Sequence, residues 1–342
     1  MKRPILILSL ILLLAIIAGG WFLFVSRFSQ EATGESVSIT ISSQDQVASI
    51  AKQLKQRGLI AFTFEYEWYA KMSQTATHPK AGEYTFRHGA SLFRIAMVLA
   101  AGPERSIRSV RLVEGRTLDE NVEALSTSGI HTAPYASLVG ASLNAHPFDR
   151  SLMKEYSFLS DIPEGQSLEG YLFPDTYEIY EDDPAALVTK QLDQFQKVVL
   201  TSQHIDAQTK SGMSWHNVIT LASIVQDEVR SVSDMKMVAG IFLNRLKANM
   251  PLQSDATINY ILHRGNARSS AEDVKVNSPY NTYIHQGLPP GPISNPGLDA
   301  IESVLNPQPS DNLYFLTDDA GKLYVAKTLD EHVKNKEKAF GK

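Results

Sequence analysis

A run of 21 residues without a charge, Ile5 to Val25, stands near the N-terminus of the sequence. At about 1.5 Å per residue, a helix of this length crosses the roughly 30 Å of hydrocarbon in a bilayer. A cleaved signal peptide has a shorter apolar core and a small-residue cleavage site, and no such site precedes Ser26. The run therefore predicts an uncleaved membrane anchor, which confines the rest of the chain to one side of a membrane.

The charges around this run predict its orientation. Lys2 and Arg3 precede it, whereas only Arg27 follows closely behind. Cationic flanks stay on the cytoplasmic side, so residues 1–4 form a cytoplasmic tail and residues 27–342 lie outside. We expect a single-pass protein of the cytoplasmic (inner) membrane with its folded part in the periplasmic or extracytoplasmic space.

Composition excludes several classes of function. The chain has 32 basic and 37 acidic residues, well mixed, so no basic stripe indicates nucleic-acid binding. It has no cysteine, and its nine histidines show no metal-ligand spacing. No glycine-rich phosphate-binding motif occurs. We expect no metal and no cofactor.

The pattern of apolar residues predicts an α+β protein. Short alternating segments indicate strands, and helical spacing dominates between them. Asn312 to Ala326 reads as two alternating strands about an Asp-Asp-Ala-Gly turn, a β-hairpin. The predicted organisation is a tail (1–4), an anchor (5–25), a polar linker (26–36), a small α/β module (37–104), a second small α/β segment (105–164) and a larger mixed α+β domain (165–342).

One carboxylate falls in register with an apolar helix face. The predicted helix from Trp215 to Arg230 carries Val218, Leu221 and Val225 on one face, and the same spacing reaches Glu228. A desolvated carboxyl group favours its protonated form, which is what a general acid requires. From this segment alone, a position at the solvent-exposed edge of the helix, beside Asp227 and Arg230, is the simpler explanation of Glu228.

Other clusters are compatible with carbohydrate binding. Aromatic rings stack on sugar faces, while amides, hydroxyls and carboxylates bind sugar hydroxyls. A core-facing strand, a helix cap or a turn explains each cluster as well, and the rigid Gly/Pro-rich loop 287–297 either walls a groove or only connects elements. The candidate substrate-binding residues are Gln253, Asp255, Tyr280, Asn281, Thr282, Tyr283, Glu169 and Asp175.

Six sequence motifs follow one another along the chain. They are L-E-G-Y-L-F-P-D-T-Y at 168–177, L-A-S-I-V-Q-D-E at 221–228, N-R-L at 244–246, L-Q-S-D at 252–255, Y-N-T-Y at 280–283 and G-L-P-P-G-P-I at 287–293. In this order they resemble the motifs of the endolytic murein transglycosylase family, known as the MltG or YceG-like family. K-A-G-x-Y at 80–84 and R-L-V-E-G at 111–115 fit the upstream part of that family, so the resemblance covers nearly the whole chain.

The resemblance implies a reaction and assigns its catalytic residue. In the family, the glutamate that closes the A-S-I motif is catalytic, which here is Glu228; the position two before it, often Glu in relatives, is Gln226. The implied reaction cleaves the β-1,4 bond between N-acetylmuramic acid and N-acetylglucosamine in peptidoglycan without water, leaving 1,6-anhydro ends. The resemblance also implies that residues 37–104 form a LysM-like domain.

Two alternatives and the partners remain to be tested. A muramidase would hydrolyse the same bond, with Asp255 or Glu169 as a second carboxylate. A non-catalytic scaffold would bind glycan and recruit synthesis or division proteins. The expected partners are peptidoglycan glycan strands, together with peptidoglycan synthases or division proteins at the membrane.

Overall fold

A computed structural model describes residues 34–73, 79–104, 107–144, 146–180, 183–265 and 268–341. The chain divides into two compact units on either side of residue 105. The predicted anchor at residues 5–25 lies outside the described residues. Within the described part of the chain, no helix combines the length and the apolar character needed to span a bilayer.

The first unit is a two-stranded antiparallel sheet packed with helices. Strands β1 and β2 pair along their whole length, with Ile39 opposite Tyr84. Both of these side chains face a separate apolar core that also holds Ile50, Leu54 and Leu99. In chain order the elements are β1 (Ser36–Ile41), α1 (Val47–Gln56), α2 (Thr63–Met72), β2 (Gly82–Arg87) and α3 (Leu92–Ala101).

The second unit is mostly helical, with two small sheets. Its elements are β3 (Ile107–Arg111), α4 (Leu118–Thr127), α5 (Ala133–Val139), β4 (Thr176–Tyr180), α6 (Ala185–Val199), α7 (Ser202–Ser211), α8 (Trp215–Glu228), α9 (Val232–Lys247), α10 (Asp255–Ile261), α11 (Leu298–Leu305), β5 (Tyr314–Thr317), β6 (Leu323–Ala326) and α12 (Leu329–Phe340). Short 3-10 turns fill much of the segment between α5 and β4.

Helix α8 is the central element of the second unit. Every residue from Val218 to Val225 is buried, because α9, α10 and α11 all pack around it. The sheets lie beside this helical core: β3 pairs antiparallel with β4, and β5 pairs with β6 in the hairpin expected at 312–326. Because the middle of α8 is buried on all sides, the helix is held firmly in place. The position of its C-terminal residue is therefore fixed as well.

The sequence predicted the type of most elements and some of their ends. The mixed α+β class is confirmed, and Thr117 and Glu120 form a capping box at the start of α4. One predicted helix bound differs. Helix α8 ends at Glu228 rather than Arg230, because Val229 turns to an extended conformation. Helix α9 follows directly and is capped by Ser231, whose hydroxyl accepts from the Asp234 amide.

Candidate active site

Glu228 is the last residue of the buried helix α8. The helix is buried as far as Val225, whereas its last three residues, Gln226, Asp227 and Glu228, are partly exposed. The chain leaves the helix at Val229, which directs the carboxyl group out of the core and toward the start of α10. A carboxyl group thus stands at the boundary between the protein interior and the surface.

The surroundings of Glu228 favour its protonated form. Desolvation, together with the negative charge of Asp255, raises the pKa of its carboxyl group from 4.5 to about 7. The C-terminal end of a helix carries partial negative charge, which also disfavours a carboxylate there. A carboxyl group with a pKa near neutrality can donate a proton and later accept one.

The Ser254 side chain contacts the Glu228 carboxyl group directly. Its hydroxyl donates a hydrogen bond of 2.5 Å to Oε1 of Glu228. Ser254 is 2% exposed, so this bond is shielded from water on one side. The bond favours the carboxylate and partly offsets the effect of desolvation on the pKa. Oε1 is therefore occupied, and Oε2 is the oxygen left for a substrate.

Buried hydroxyl groups hold Ser254 in place. The Ser254 amide donates to the Thr282 hydroxyl at 3.1 Å, and the Thr257 and Thr282 hydroxyls lie 2.9 Å apart. The Thr257 hydroxyl also donates to the Ser254 carbonyl, and the Gln253 amide donates to the Thr282 carbonyl. The segments L-Q-S-D and Y-N-T-Y, distant in sequence, are thereby joined beside Glu228.

A buried arginine supplies positive charge to the same region. Arg245, on α9, donates to the carbonyls of Leu252 at 2.7 Å and Leu313 at 2.6 Å. Arg245 is 6% exposed, and its guanidinium group lies over the Tyr314 ring. Its charge lowers the pKa of Glu228. Arg245 therefore fixes the segment that carries Ser254 and stabilises the ionised form of Glu228.

Asp255 and Tyr283 form a pair next to Glu228. The Tyr283 hydroxyl donates to Oδ1 of Asp255 at 2.7 Å, and the Ser269 amide approaches Oδ2 at 3.4 Å. Both side chains are partly exposed. The pKa of Tyr283 is raised, mainly by desolvation and by this hydrogen bond. Asp255 acts on Glu228 through its charge, with its oxygens already accepting from protein donors.

The remaining candidates from L-Q-S-D and Y-N-T-Y differ in exposure. Gln253 is exposed, with a positive φ of 50° that turns the chain into α10. Asn281 is 0% exposed, and its amide nitrogen donates to the carbonyls of Val274 and Val276. Tyr280 is 3% exposed, its ring against that of Tyr260. Asn281 and Tyr280 therefore shape the loop from within.

The loop 287–297 is a scaffold for α8 and for the L-E-G-Y motif. Its Ile293 amide donates to the Ser223 hydroxyl in the middle of α8. Asn295 accepts from the amides of Gly170 and Leu172 through one oxygen. Gly170 has φ 87°, and a Cβ there would lie 2.5 Å from Pro292. Only glycine allows the two motifs to approach this closely.

Glu169 lies in the buried centre of these contacts. It is 3% exposed and accepts from the Leu118 amide, the Ser142 hydroxyl, the Tyr260 hydroxyl and the Asn295 amide group. Desolvation outweighs these donors and raises the pKa of Glu169 to about 8. The group links the start of α4 with α10 and the loop 287–297.

Asp175 lies apart from the residues that contact Glu228. It precedes β4, where its side chain is exposed and accepts from the Thr176 amide and the Gln194 side chain. The described contacts do not join it to the Ser254 or Tyr283 segments.

Three residues near Glu228 were not among the candidates from sequence. Ser254 and Arg245 stand inside quoted motifs, but a serine and an arginine gave no signal of contact with a carboxyl group. Asp227 lines a cleft of about 550 Å³ beside the end of α8; Glu228 is not among the residues that line it. Burial raises the pKa of Asp227 to about 8. Next to it, Gln226 accepts from the Gly297 amide at 3.0 Å.

Comparison with known proteins covers nearly the whole chain. The model of the YceG-like family matches residues 39–338. A crystal structure of a YceG-like protein from Listeria monocytogenes superposes with a TM-score of 0.59 at 30% identity, covering 89% of this chain and 100% of that one.

Two of the similar proteins carry the name endolytic murein transglycosylase. The protein of Bacillus subtilis (strain 168) is 33% identical over 94% of this chain and 91% of its own length. The protein of Streptococcus pneumoniae serotype 2 (strain D39 / NCTC 7466) is 32% identical over 96% of this chain but only 64% of its own length. The similarity therefore includes both compact units.

Proposed function

The chain belongs to the YceG-like family, and from this we propose that it is an endolytic murein transglycosylase. It cleaves the MurNAc-β-1,4-GlcNAc bond of peptidoglycan without water and leaves 1,6-anhydroMurNAc ends. The observation that carries the proposal is the Glu228 carboxyl group, whose pKa of about 7 suits a group that gives up a proton and takes one back.

The reaction needs one residue in two roles. Protonated Glu228 donates through Oε2 to the glycosidic oxygen as the bond to C1 of the muramoyl sugar breaks and positive charge develops at C1. The leaving sugar departs with a free hydroxyl. The C6 hydroxyl of the muramoyl sugar then attacks C1 and gives its proton to the Glu228 carboxylate. The new C1–O6 bond closes the anhydro ring, and Glu228 returns to its protonated form.

A second carboxylate is unnecessary in this scheme. Ordinary glycosidases use two carboxylates, one of which is a nucleophile or activates water. Here the C6 hydroxyl of the same sugar is the nucleophile, and its proximity supplies a high effective concentration. Both oxygens of Asp255 accept from protein donors, and Glu169 is buried among four of them. These contacts favour the lytic reaction over a muramidase.

The ionised form of Glu228, which develops as the glycosidic bond breaks, is stabilised by two neighbouring groups. The bond from Ser254 and the charge of Arg245 both lower the pKa of Glu228, and both interactions strengthen as negative charge develops on it. They therefore stabilise the transition state more than the resting enzyme. The pKa near 7 is the balance between this effect and desolvation.

For glycan binding we keep the residues predicted from sequence. Exposed Gln253 and partly exposed Tyr283 and Asp255 are accessible beside Glu228. Asn281, Thr282 and Tyr280 would act by shaping the loop, and Glu169 by positioning α4 and α10. Asp175 would contact a more distant part of the strand.

We also propose how the enzyme is placed. Residues 5–25 anchor it in the cytoplasmic membrane with the folded part outside, where it cuts nascent strands internally and ends their elongation beside peptidoglycan synthases or division proteins. The strand-helix-helix-strand order of β1, α1, α2 and β2 supports a LysM-like module over residues 37–104.

Product analysis tests the reaction. Purified protein is incubated with sacculi, and the products of wild type and Glu228→Gln are compared by mass spectrometry. We expect 1,6-anhydro ends from wild type and none from the variant, since Gln keeps the volume but cannot cycle a proton. Reducing ends from wild type would identify a muramidase.

A complementation experiment distinguishes a catalytic role from that of a non-catalytic scaffold. In cells that lack the protein, Glu228→Gln should fail to restore glycan strand length although it accumulates and folds normally. Full restoration by that variant would show that glycan binding alone is sufficient.

A further inference from the structure

Helix α2 is apolar on two opposite faces. Its buried face, with Tyr66 at 0% and Ala70 at 1% exposure, packs into the core of the first unit. On the other side, Phe64, Trp68 and Met72 are 63%, 53% and 69% exposed. A surface helix of a soluble domain normally presents polar residues on its outer face. The exposed side of α2 is therefore more apolar than is usual for a helix surface in contact with water.

The exposed residues follow helical spacing. Phe64, Trp68 and Met72 are four apart, so they form one stripe along α2. Helix α3 contacts α2, and it exposes a second pair four apart, Phe93 at 48% and Met97 at 45%. These five residues are called the outer face below. Such a concentration of large apolar side chains marks a surface that is covered in use.

The short segment between the charge-free run and β1 limits which surfaces can reach the outer face. Ten residues separate the charge-free run, which ends at Val25, from the start of β1 at Ser36. Even fully extended, they reach roughly 35–40 Å. The charge-free run is proposed to insert into the bilayer. The short segment therefore keeps the start of the first unit within roughly 35–40 Å of the bilayer surface. The bilayer surface is the apolar partner always present at that distance.

We propose that the outer face of α2 and α3 docks on the extracytoplasmic surface of the membrane. The inference rests on the proposed anchor, and it adds a second contact that fixes the orientation of the first unit. Trp68 would lie at headgroup level, where tryptophan is enriched. Phe64, Met72 and Phe93 would reach the acyl boundary, as in interfacial amphipathic helices.

Two cationic side chains are suitably placed for this arrangement. Lys71, seven residues after Phe64, lies on the same side of α2 and is exposed, as is Arg94 next to Phe93. Their stems can cover apolar surface while their charged ends reach the phosphates. The carboxylate of Glu65 accepts from the amides of Ala61 and Phe62 and so is held at the helix start. Glu67 is exposed at the edge of the stripe.

Tryptophan quenching in the full chain tests the docking. The protein has three tryptophans, at 21, 68 and 215, so Trp21→Phe and Trp215→Phe leave Trp68 as the single reporter. The chain is reconstituted into phosphatidylcholine vesicles with bromine on the upper acyl carbons. We expect Trp68 fluorescence to fall by roughly half or more relative to unbrominated vesicles, as for a residue at the interface.

Matched variants identify the face responsible. In the reporter background, Phe64→Ser with Met72→Ser should reduce the quenching severalfold. Leu329→Ser with Val333→Ser is the control, because these residues of α12 are 59% and 47% exposed and also four apart. This control should quench like the parent. Both pairs replace exposed side chains, and unchanged anhydro-product formation on soluble glycan strands verifies the fold.

Three other results would contradict the docking, and each identifies a different reason. Unquenched Trp68 in a chain that floats with the vesicles after carbonate washing disproves the docking and leaves the anchor intact. A chain that does not float disproves the anchor and the docking together, while the product assay still judges the enzyme. Trp68 that responds to N-acetylglucosamine oligomers but not to brominated lipid assigns the outer face to glycan instead.

Discussion

The hydroxyl of Ser254 donates a 2.5 Å hydrogen bond to Oε1 of Glu228, so the two oxygens of this carboxyl group are not equivalent. Oε1 is held as an acceptor, which leaves Oε2 to carry the proton. The bond also opposes the desolvation that raises the pKa of Glu228. A serine that sequence reasoning passed over thus determines both where the proton lies and how readily it leaves.

Ser254→Ala should slow the reaction and move its pH dependence upward. Loss of the donor raises the pKa of Glu228 above about 7, and cleavage requires the protonated acid. The alkaline limb of kcat/KM therefore shifts to higher pH. A hydrogen bond to a charged group is worth about 1.5–3 kcal/mol, so kcat should fall roughly 10- to 100-fold.

The control for this substitution is Ser303→Ala. Ser303 is also buried, but its hydroxyl donates to the Asp299 carbonyl within α11. Its removal should leave the pH profile unchanged. Ser254→Thr, which keeps a hydroxyl, should recover part of the rate. An unshifted alkaline limb in Ser254→Ala would contradict the assigned role.

Arg245 should matter for both stability and acidity. It holds the carbonyls of Leu252 and Leu313 from a buried position, so Arg245→Met leaves acceptors unpaired. We expect a loss of about 3 kcal/mol or more in the free energy of unfolding, since several buried bonds are lost. Arg245→Lys keeps the charge without the fork of donors.

The two Arg245 variants separate packing from charge. Denaturation by urea should show both to be destabilised, Met more than Lys. Because the positive charge lowers the pKa of Glu228, the alkaline limb should move to higher pH in Arg245→Met and much less in Arg245→Lys. Equal shifts in both variants would mean that the charge is not the cause.

The secondary structure was largely accessible from sequence, whereas the site was accessible only in part. Apolar spacing and the Thr117–Glu120 pair identify helices because they are local signals. The contact between L-Q-S-D and Y-N-T-Y is long-range, and no periodicity encodes it. The 3-10 turns between α5 and β4 are hard to recognise from sequence, because they lack the 3.6-residue repeat of an α-helix.

Residue type does not show which of the candidate residues are accessible to a ligand. Amides and aromatic rings were selected because they bind sugars, yet Asn281 is fully buried and donates to two backbone carbonyls. Ser254 and Arg245 have common structural uses, so their contacts with the Glu228 region could be recognised only in three dimensions. The sequence predicts the acid; the fold supplies what tunes it.

Glu169 should make the protein less stable as pH rises. Its folded-state pKa is about 8, above the ordinary value of 4.5, so the folded state binds more protons than the unfolded state between these values. This contribution is complete below pH 4.5 and is lost as pH rises through 8. At roughly 1.4 kcal/mol per pKa unit, it amounts to several kcal/mol at most.

Glu169→Gln tests this contribution, because the amide resembles the protonated acid. Its oxygen can accept from Leu118 and Asn295, while its NH2 can donate to the hydroxyls of Ser142 and Tyr260. Urea denaturation from pH 5 to pH 8.5 should give a flatter dependence for Glu169→Gln than for wild type. Glu169→Ala should be destabilised throughout, and identical slopes in wild type and Glu169→Gln would refute the raised pKa.

Asp255→Asn should shift the pH dependence opposite to Ser254→Ala and leave the reaction type unchanged. The charge of Asp255 raises the pKa of Glu228, so its removal lowers that pKa and moves the alkaline limb of kcat/KM to lower pH. An amide can still accept from the Tyr283 hydroxyl, and the C6 hydroxyl of the substrate remains the nucleophile. We therefore expect at most about a tenfold loss of kcat, the cost of a tuning interaction rather than of an essential group, with 1,6-anhydro ends still formed. A loss as complete as in Glu228→Gln would make Asp255 a second catalytic carboxylate.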